Sequence, residues 1–411
     1  MNTLIKNIGE LHQIRALGDA PVSGEAMKTA PSIKNAFLEI VNGKIHAYGP
    51  MSDYEPKLAF QEIDAGNGHV LPGFVDSHTH LIFADTRETE FEDRIKGLTY
   101  EEIAERGGGI LNSAKALENT DEDVLYRDAM LRLTRLIRKG TTSIEIKSGY
   151  GLSPEAEIKM LRVARRIQKT SPIPVRTTFL GAHAIPKKYK GSPEKYIQEI
   201  KEVMLPQIGR ERLADYIDVF CEKGYFSVEQ TLDIIREGAK YGLKAKVHVN
   251  QFNVLGGIPS LVKEGAVSVD HLEVMDDADL EALKTGNTMP VLLPSCSFFL
   301  GIPFGPARKI IDAGLPLALA SDFNPGSTPS GNLEFVFSLA CIKLKMTPAE
   351  ALNALTINAA KAIELEDEVG SITIGKSANL ILTQPMKSLA LMPYSFGETN
   401  IKTVLINGEI F

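Results

Sequence analysis

The chain has 411 residues, enough for one large α/β barrel with an accessory unit or for two domains. Hydrophobic residues make up 44% of it, and no apolar run approaches the ~20 residues of a membrane span, so we predict a soluble globular protein without a membrane partner. The formal net charge of −7 argues against a nucleic-acid partner, because nucleic-acid binders generally display a basic stripe.

Both ends of the chain have the pattern of antiparallel β-structure. The segment AFLEIVNGKIHAYGP, residues 36–50, alternates apolar and polar side chains around an Asn-Gly turn. The same pattern returns in residues 370–385 and 401–411, after a helical stretch that ends near Glu364. We therefore predict one small β-sandwich domain that residues 1–70 and 366–411 build together.

The first residues and the cysteines predict a cytoplasmic location. The start MNTLIKNIGELHQI lacks the basic and apolar regions of a secretory signal peptide. Three cysteines, Cys221, Cys296 and Cys341, make no disulfide framework. A reducing compartment fits these features best.

Eight short apolar runs alternate with amphipathic helical stretches such as residues 123–140. The runs cover residues 69–78, 141–149, 175–183, 216–222, 244–250, 266–272, 289–295 and 315–322. Fully apolar strands that alternate with helices indicate a parallel sheet covered on both faces. Eight units predict an α/β fold with a (β/α)8 TIM-like barrel over residues 71–365, and a doubly wound open sheet is the alternative.

Polar residues near the strand ends favour the barrel. They are His78, His80, Tyr150, His183, His248, His271 and Asp322. Barrel enzymes assemble their active sites at the C-terminal ends of several strands, so we expect these side chains to meet at one mouth. The glycine run Gly107–Gly109 lies in an unusually long segment after the first strand, which is typical of lids.

The pair His78 and His80 predicts a metal centre. The two side chains alternate with Thr79, so both imidazoles point to one face of a strand and can reach one cation. His248 and Asp322 end two other strands and add a third nitrogen and an oxygen. A lone histidine is more often a core or capping group. Three histidines and a carboxylate at one barrel mouth instead suit a catalytic Zn²⁺ or iron ion.

These motifs resemble the amidohydrolase superfamily. The resemblance rests on GFVDSHTH, VHVNQ, VDHLE and LASDFNPGS, and it extends over the split β domain and most of the chain. Within the superfamily, FADTRETEF, EIKSGYGL, FLGAHAIP and SDFNPGS are most similar to the imidazolonepropionase family of histidine degradation. That resemblance implies hydrolysis of 4-imidazolone-5-propanoate, a small anionic substrate, to N-formimino-L-glutamate. It also implies one divalent metal, Zn²⁺ or Fe²⁺/Fe³⁺. A homodimer is expected only by analogy with the family.

The resemblance further implies the residues of the site. The metal ligands are His78, His80, His248 and Asp322, and the substrate contacts are Arg87, Tyr150, His183, Gln251, Asn324, Gly326 and Ser327. Asp322 and His271 share the acid–base work, with the division between them open. Two-metal relatives carry a lysine at the end of strand four. Here Cys221 and Glu222 stand at that end, so one metal is expected.

Gln251 favours ring opening over deamination. Deaminases of this architecture carry a glutamate three residues after the strand-five histidine, because a carboxyl group must shuttle protons to the departing amine. A glutamine amide cannot carry a proton at neutral pH. The alternatives are a one-metal deaminase of an aromatic base and a non-catalytic scaffold, which the complete ligand set argues against.

The substrate residues each have a plainer interpretation. Arg87 is suited to bidentate capture of a substrate carboxylate, and a surface salt bridge is its alternative. Tyr150 could bind that carboxylate or stack on the ring, or be a core tyrosine. His183 could donate a hydrogen bond to the substrate or cap a turn. Tyr100 is a weaker candidate, because LTYEEIAE also reads as the start of a helix.

Overall fold

The structure, a computed structural model, describes residues 2–56, 61–98, 102 and 108–411. Its strands are β1 (Asn2–His12), β2 (Ser32–Val41), β3 (Lys44–Pro50), β4 (Gln61–Asp64), β5 (Gly68–Pro72), β6 (Phe74–Asp76), β7 (Thr141–Lys147), β8 (Val175–Ala182), β9 (Tyr216–Cys221), β10 (Lys244–Val249), β11 (Ser268–His271), β12 (Met289–Leu292), β13 (Ala318–Leu319), β14 (Leu380–Pro385), β15 (Ile401–Ile406) and β16 (Glu409–Ile410). Its α-helices are α1 (Glu88–Ile95), α2 (Ile110–Asn119), α3 (Glu122–Arg138), α4 (Pro154–Thr170), α5 (Pro193–Glu199), α6 (Leu205–Glu211), α7 (Val228–Ala239), α8 (Ile258–Lys263), α9 (Asp277–Leu283), α10 (Pro294–Leu300), α11 (Ala307–Asp312), α12 (Leu333–Ile342), α13 (Pro348–Leu355), α14 (Ile357–Ala362) and α15 (Leu391–Tyr394).

Strands β6 to β13 form one parallel sheet in chain order. Two backbone hydrogen bonds join the residues that follow the first and last strands: Asp322 N donates to His78 O at 3.1 Å, and His80 N donates to Phe323 O at 2.8 Å. The sheet is therefore a nearly closed barrel, as the eight apolar runs predicted, and the open-sheet alternative is wrong. Every residue of β7, β9 and β12 is buried, as expected for strands of a parallel sheet that is covered on both faces.

Helix α3 shows how the outer layer forms. Its first turn is capped by the Asp121 side chain, which accepts a hydrogen bond from Asp123 N. Leu125 and Leu133 lie on its buried face. The helix ends before Gly140, whose φ of +93° only glycine adopts easily.

The two ends of the chain share a second, mixed sheet. Its strands run in the order β16-β15-β14-β5-β1-β2-β3, and β4 pairs with β1. The prediction that both termini build one β unit is confirmed. The limits at residues 70 and 366 stay predictions.

The first predicted apolar run, residues 69–78, serves both sheets. Its first half, β5, pairs with β14 and β1, and its second half, β6, enters the barrel. The break falls at Gly73, where a β-carbon would lie 2.1 Å from Thr142 Oγ1. No side chain fits at this crossing point, so glycine lets the chain pass from one sheet to the other.

The long segment after β6 carries α1 and α2. Gly109 N, at the start of α2, donates a hydrogen bond to Glu90 Oε1 of α1 at 2.8 Å. Tyr100 and Gly107 lie outside the described residues, so the lid remains a prediction. Among the residues described, no helix has the length and apolar character needed to span a membrane.

Candidate active site

The four predicted metal ligands lie together at the C-terminal end of the barrel. His78 Nε2 and His80 Nε2 are each 3.6 Å from Asp322 Oδ1. The ring of His248 lies 4.4 Å from the ring of His78, measured between centroids. All four side chains are buried. Residues from three separate strand ends therefore surround one point.

Hydrogen bonds fix the orientation of two of the rings. His78 Nδ1 lies 2.6 Å from Asp270 Oδ2, and His248 Nδ1 lies 2.8 Å from Asp218 Oδ2. A carboxylate only accepts, so each Nδ1 carries the hydrogen and each Nε2 presents a lone pair. His78 Nε2 is buried and has no hydrogen-bond partner among the described residues.

The protonation states of these groups also suit a cation. Burial, and after it nearby positive groups, lowers the pKa of His78, His80 and His248 well below the usual value, so the rings are neutral. Burial raises the pKa of Asp322 to about 6, against the opposing effect of His271 and of hydrogen bonds to its carboxyl group. Three neutral imidazoles and one carboxyl group are the donor set that a catalytic Zn²⁺ or iron site uses. The residues present therefore fit a divalent cation.

His271 lies beside the same point. Its ring is 5.2 Å from the ring of His248, and ligand-capable atoms of His78, His248 and His271 all lie within 4.8 Å of one another. Burial disfavours its charged form, but the carboxylate of Glu273, 3.2 Å from His271 Nδ1, and other nearby acids raise its pKa. Its backbone φ of +92° is uncommon for a residue other than glycine. The geometry allows both an acid–base role and a ligand role.

A buried layer of charges lies behind the histidines, and the sequence analysis missed it. Lys147 Nζ is 2.8 Å from both Glu145 Oε1 and Asp218 Oδ2, and 3.7 Å from Asp270 Oδ2. Burial opposes its charge, but the three carboxylates raise the pKa of Lys147 above its ordinary value. Lys147 therefore bridges the two acids that orient His78 and His248. Charged residues at alternate positions of an otherwise apolar strand, as in SIEIKS, are the signal that could have revealed it.

The two residues at the end of β9 both have contacts away from the four predicted ligands. Cys221 packs in the hydrophobic core, and burial raises its pKa to about 11. Glu222 accepts hydrogen bonds from Phe252 N at 2.9 Å and Asn253 Nδ2 at 2.8 Å. It therefore holds the loop that follows β10.

Two predicted substrate residues line one side of the centre. The ring of His183 stacks on that of His80, with 5.3 Å between centroids and 12° between planes, and Tyr150 lies 5.5 Å from His183. Burial lowers the pKa of His183 to about 4, so the ring is neutral. Its Nδ1 lies 3.0 Å from the carbonyl of Gly149 and carries the hydrogen, which leaves Nε2 as an acceptor. The sequence analysis had given His183 a donor role toward the substrate.

The turn after β13 brings the remaining predicted residues together. Asn324 Oδ1 accepts hydrogen bonds from Gly326 N and Ser327 N, both at 2.8 Å. Ser327 Oγ donates to Asp322 Oδ2 at 3.1 Å, and Tyr150 OH donates to Asn324 Oδ1 at 3.4 Å. This turn therefore connects the carboxyl group of Asp322 with Tyr150.

Arg87 reaches this turn from α1. A β-carbon at Gly326 would lie 2.3 Å from Arg87 Nη1, so the guanidinium packs directly on the glycine. Arg87 Nε donates to Glu90 Oε1 at 2.9 Å, and Nη2 binds the other oxygen of Glu90. The ion pair given as the alternative for Arg87 exists, with Glu90 as its partner. It is not a surface salt bridge, because the two side chains are only 11% and 10% exposed. Arg94, missed from the sequence, approaches Gly326 O with Nη1 at 3.4 Å.

Gln251 lies on the side of His271. Its Nε2 contacts Cys296 Sγ at 3.6 Å, and ligand-capable atoms of Cys296, His271 and Glu273 lie within 4.8 Å of one another. Burial, and then the nearby acids, raise the pKa of Cys296 well above its usual value, so it is a thiol. Cys296 had no assigned role in the sequence analysis.

Comparisons with known proteins agree with this arrangement. The amidohydrolase family model matches residues 69–411. A curated imidazolonepropionase of Flavobacterium johnsoniae is 57% identical over 100% of both chains, and one of Christiangramia forsetii is 54% identical over 100% of both. A solved triazine hydrolase variant aligns with a TM-score of 0.73 over 100% of this chain and 94% of that one, and at 16% identity it shows the fold alone. The chain belongs to the amidohydrolase family and, within it, to the imidazolonepropionase family that the sequence motifs indicated.

Proposed function

We propose that this chain hydrolyses the ring amide of 4-imidazolone-5-propanoate to give N-formimino-L-glutamate. The observation that carries the proposal is the 57% identity, over the whole of both chains, to a curated imidazolonepropionase. Convergence of the predicted residues at one barrel mouth supports it. The substrate would be a small anion, consistent with the arginine that packs on Gly326.

In this proposal one Zn²⁺ or iron ion is held by His78, His80, His248 and Asp322. The lone pair of His78 Nε2, buried without a hydrogen-bond partner among the described residues, supports this ligand set. Such an ion supplies Lewis acidity and lowers the pKa of a water molecule. Asp218 and Asp270 would keep the rings of His248 and His78 in the required tautomer.

The proton transfers fall to Asp322 and His271. Asp322, with a pKa of about 6, can take a proton from water and release it near neutral pH. Ser327 Oγ donates to Asp322 Oδ2 and orients it. His271, whose pKa is raised chiefly by Glu273 against the effect of burial, can donate to the oxygen that gains charge as the ring amide is attacked.

The substrate would be held at both ends. His183 Nε2, an acceptor, suits a ring N–H. Arg87 is the proposed partner of the propionate group: its Nε and Nη2 bind Glu90, and its Nη1 lies against Gly326 of the turn that Tyr150 contacts. A guanidinium braced by one carboxylate is already oriented, so it loses little side-chain entropy when it binds another.

Gln251 supports hydrolysis of a ring amide over loss of an amine. It stands where a proton-shuttling carboxyl group would be needed for deamination, and its amide contacts the Cys296 thiol. The amide of Gln251 and the neutral thiol beside it do not themselves carry a proton, unlike the carboxyl group that a deaminase places there.

The direct test follows the reaction itself. Imidazolone propionate, freshly made by hydration of urocanate, is added to purified protein with and without a chelator, and the ring absorbance is recorded. We expect metal-dependent decay and a product heavier than the substrate by one water. A metal-loaded protein that leaves this substrate unchanged but releases ammonia from an amino-substituted aromatic base would indicate the deaminase. A fully metal-loaded protein without turnover would indicate the scaffold.

Substrate class is tested at Arg87. The substitution Arg87→Ala removes a charge-assisted interaction of roughly 1.5–3 kcal/mol, so kcat/KM should fall about tenfold to a hundredfold while metal content stays constant. Arg127→Ala, which removes an exposed arginine of an ion pair with Asp128, is the matched control.

A ring analogue without the carboxylate separates binding from loop support. It should already be a poor substrate of the parent protein and should react equally slowly with Arg87→Ala. If Arg87→Ala impairs the analogue as much as the natural substrate, Arg87 acts by holding Glu90 and α1 in place.

A further inference from the structure

The terminal sheet contains a second group of potential metal ligands, separate from those of the barrel sheet. Ligand-capable atoms of Glu10, His12 and His69 all lie within 4.8 Å of one another. The sequence has eight histidines. Five of them lie at the barrel mouth, and His46 is exposed on β3. The other two, His12 and His69, lie next to each other.

Strand geometry brings the three residues together. Glu10 and His12 alternate with Leu11 on β1, so they share one face of the strand. Strand β5 runs parallel to β1 with Val70 opposite Leu11, which places His69 beside that face. Both histidines are buried, and Glu10 is half-buried.

The hydrogen bonds of His69 leave one nitrogen ready to bind a cation. Its Nδ1 lies 2.9 Å from His12 Nε2, and the ring also donates a hydrogen bond to the backbone carbonyl of Met386. The hydrogen of the neutral ring is therefore on Nε2, and Nδ1 offers a lone pair. A ligand histidine in proteins nearly always donates its other N–H in this way, often to a backbone carbonyl.

We propose that Glu10, His12 and His69 form a second transition-metal site, one that takes Zn²⁺ or a similar cation. In a tetrahedral zinc site with bonds of about 2.0–2.1 Å, two nitrogens stand about 3.3 Å apart, so the present 2.9 Å needs only a small opening. The cation takes the place of the hydrogen on His12 Nε2, and that hydrogen moves to Nδ1 of the same ring. Both rings stay neutral, consistent with the lowered pKa that burial gives each of them.

A surface cavity gives the site access to solvent. It has a volume of about 430 Å³, and its lining includes Glu10, His69, Lys34 and Lys387. The cavity leaves room for water to complete the coordination at Glu10 and His69. The two lysines repel a cation, so we expect this site to bind zinc more weakly than the barrel does.

The test counts zinc under equilibrium dialysis at a fixed free zinc concentration. The parent protein should bind two equivalents per chain, His248→Ala one, His69→Ala one, and the double variant none. His46→Ala removes a histidine of the same sheet outside the cluster and should keep two. Because His69 is remote from the reaction, His69→Ala should also keep the parent kcat.

Two further measurements guard against a folding artefact. His12→Gln can still donate a hydrogen bond to His69 Nδ1 but lacks the imidazole ligand, so it should fold normally and lose the second equivalent. Lys34→Ala should bind the second zinc more tightly. One equivalent in the parent protein, or a second equivalent that survives in both His69→Ala and His12→Gln, overturns the proposal.

Discussion

Asp218 is the most informative residue to change, because it supports the metal centre without being a ligand. Its Oδ1 accepts from His248 N at 3.0 Å, while Oδ2 accepts from His248 Nδ1 and from Lys147 Nζ, both at 2.8 Å. Asp218→Asn keeps the shape but replaces one oxygen by an NH₂ group. Whichever way the amide turns, a donor then faces a donor, either at the backbone N–H or at the ring and the ammonium group.

The expected loss of zinc affinity can be estimated from these contacts. Removing the carboxylate behind a ligand histidine typically lowers metal affinity 10- to 100-fold, or about 1.4–2.7 kcal/mol. Here the same change also leaves Lys147 with one fewer of its three carboxylates, so its positive charge opposes a bound cation more strongly. We therefore expect Asp218→Asn to weaken zinc binding by close to 100-fold.

The assay is competition for Zn²⁺ against a chromophoric chelator, with circular dichroism as the check on folding. Asp215→Asn is the matched control, because Asp215 lies just before the same strand and binds Arg165 away from the site. A folded Asp218→Asn with parental zinc affinity would refute the positioning role. An equal loss in Asp215→Asn would assign the effect to strand β9 as a whole.

Three other variants test the remaining parts of the centre. His248→Ala should lose both barrel-bound metal and turnover, and intact activity with unchanged metal content would contradict the ligand set. His271→Ala should keep its metal and lose on the order of 10² to 10⁴ in kcat, whereas loss of the metal would make His271 a ligand. Lys147→Met leaves Glu145 and Asp218 buried without their ammonium partner, so the free energy of unfolding measured with denaturant should fall by about 3–5 kcal/mol. A change below about 1 kcal/mol would show that these acids are protonated or hydrated in the folded protein.

The barrel was predictable because its signal is local. Strands buried on both faces are mostly apolar, so each of the eight runs is recognisable within a few residues even where buried charges interrupt it, as in β7. The exception is instructive. The sequence predicts one strand over residues 69–78, but the structure divides it at Gly73. The close approach of Gly73 to Thr142 marks this break, and because Thr142 is distant in the sequence, no local pattern predicts it.

Spacing along one strand predicted only the first two candidate ligands, while strand-end positions and the family resemblance supplied the other two. The spacing of His78 and His80, two residues apart, predicts that both side chains lie on the same face of a strand. The acids behind His78 and His248 come from other strands, Asp270 from β11 and Asp218 from β9, and no local pattern links either acid to its histidine. The burial of Arg87 against Glu90 was likewise hidden, because it depends on how α1 folds back over the barrel mouth.

The charges buried around the centre favour a single cation in the barrel. Four buried carboxylates belong to the network around the proposed ligands: Glu145, Asp218, Asp270 and Asp322. Two ammonium groups oppose them, since Lys147 binds three of the acids and Lys246 Nζ lies 3.1 Å from Glu145 Oε2. Glu273 raises the pKa of His271 and so favours a charged ring beside its carboxylate, and the pair is counted as neutral. The sum is then a formal charge of −2, from four negative and two positive groups, which one divalent ion neutralises. A second would leave a charge of +2 without a counterion in a dry site, and burial makes that far more costly than in water. The ammonium group of Lys147 thus neutralises part of the carboxylate charge that a second metal ion would otherwise have to neutralise.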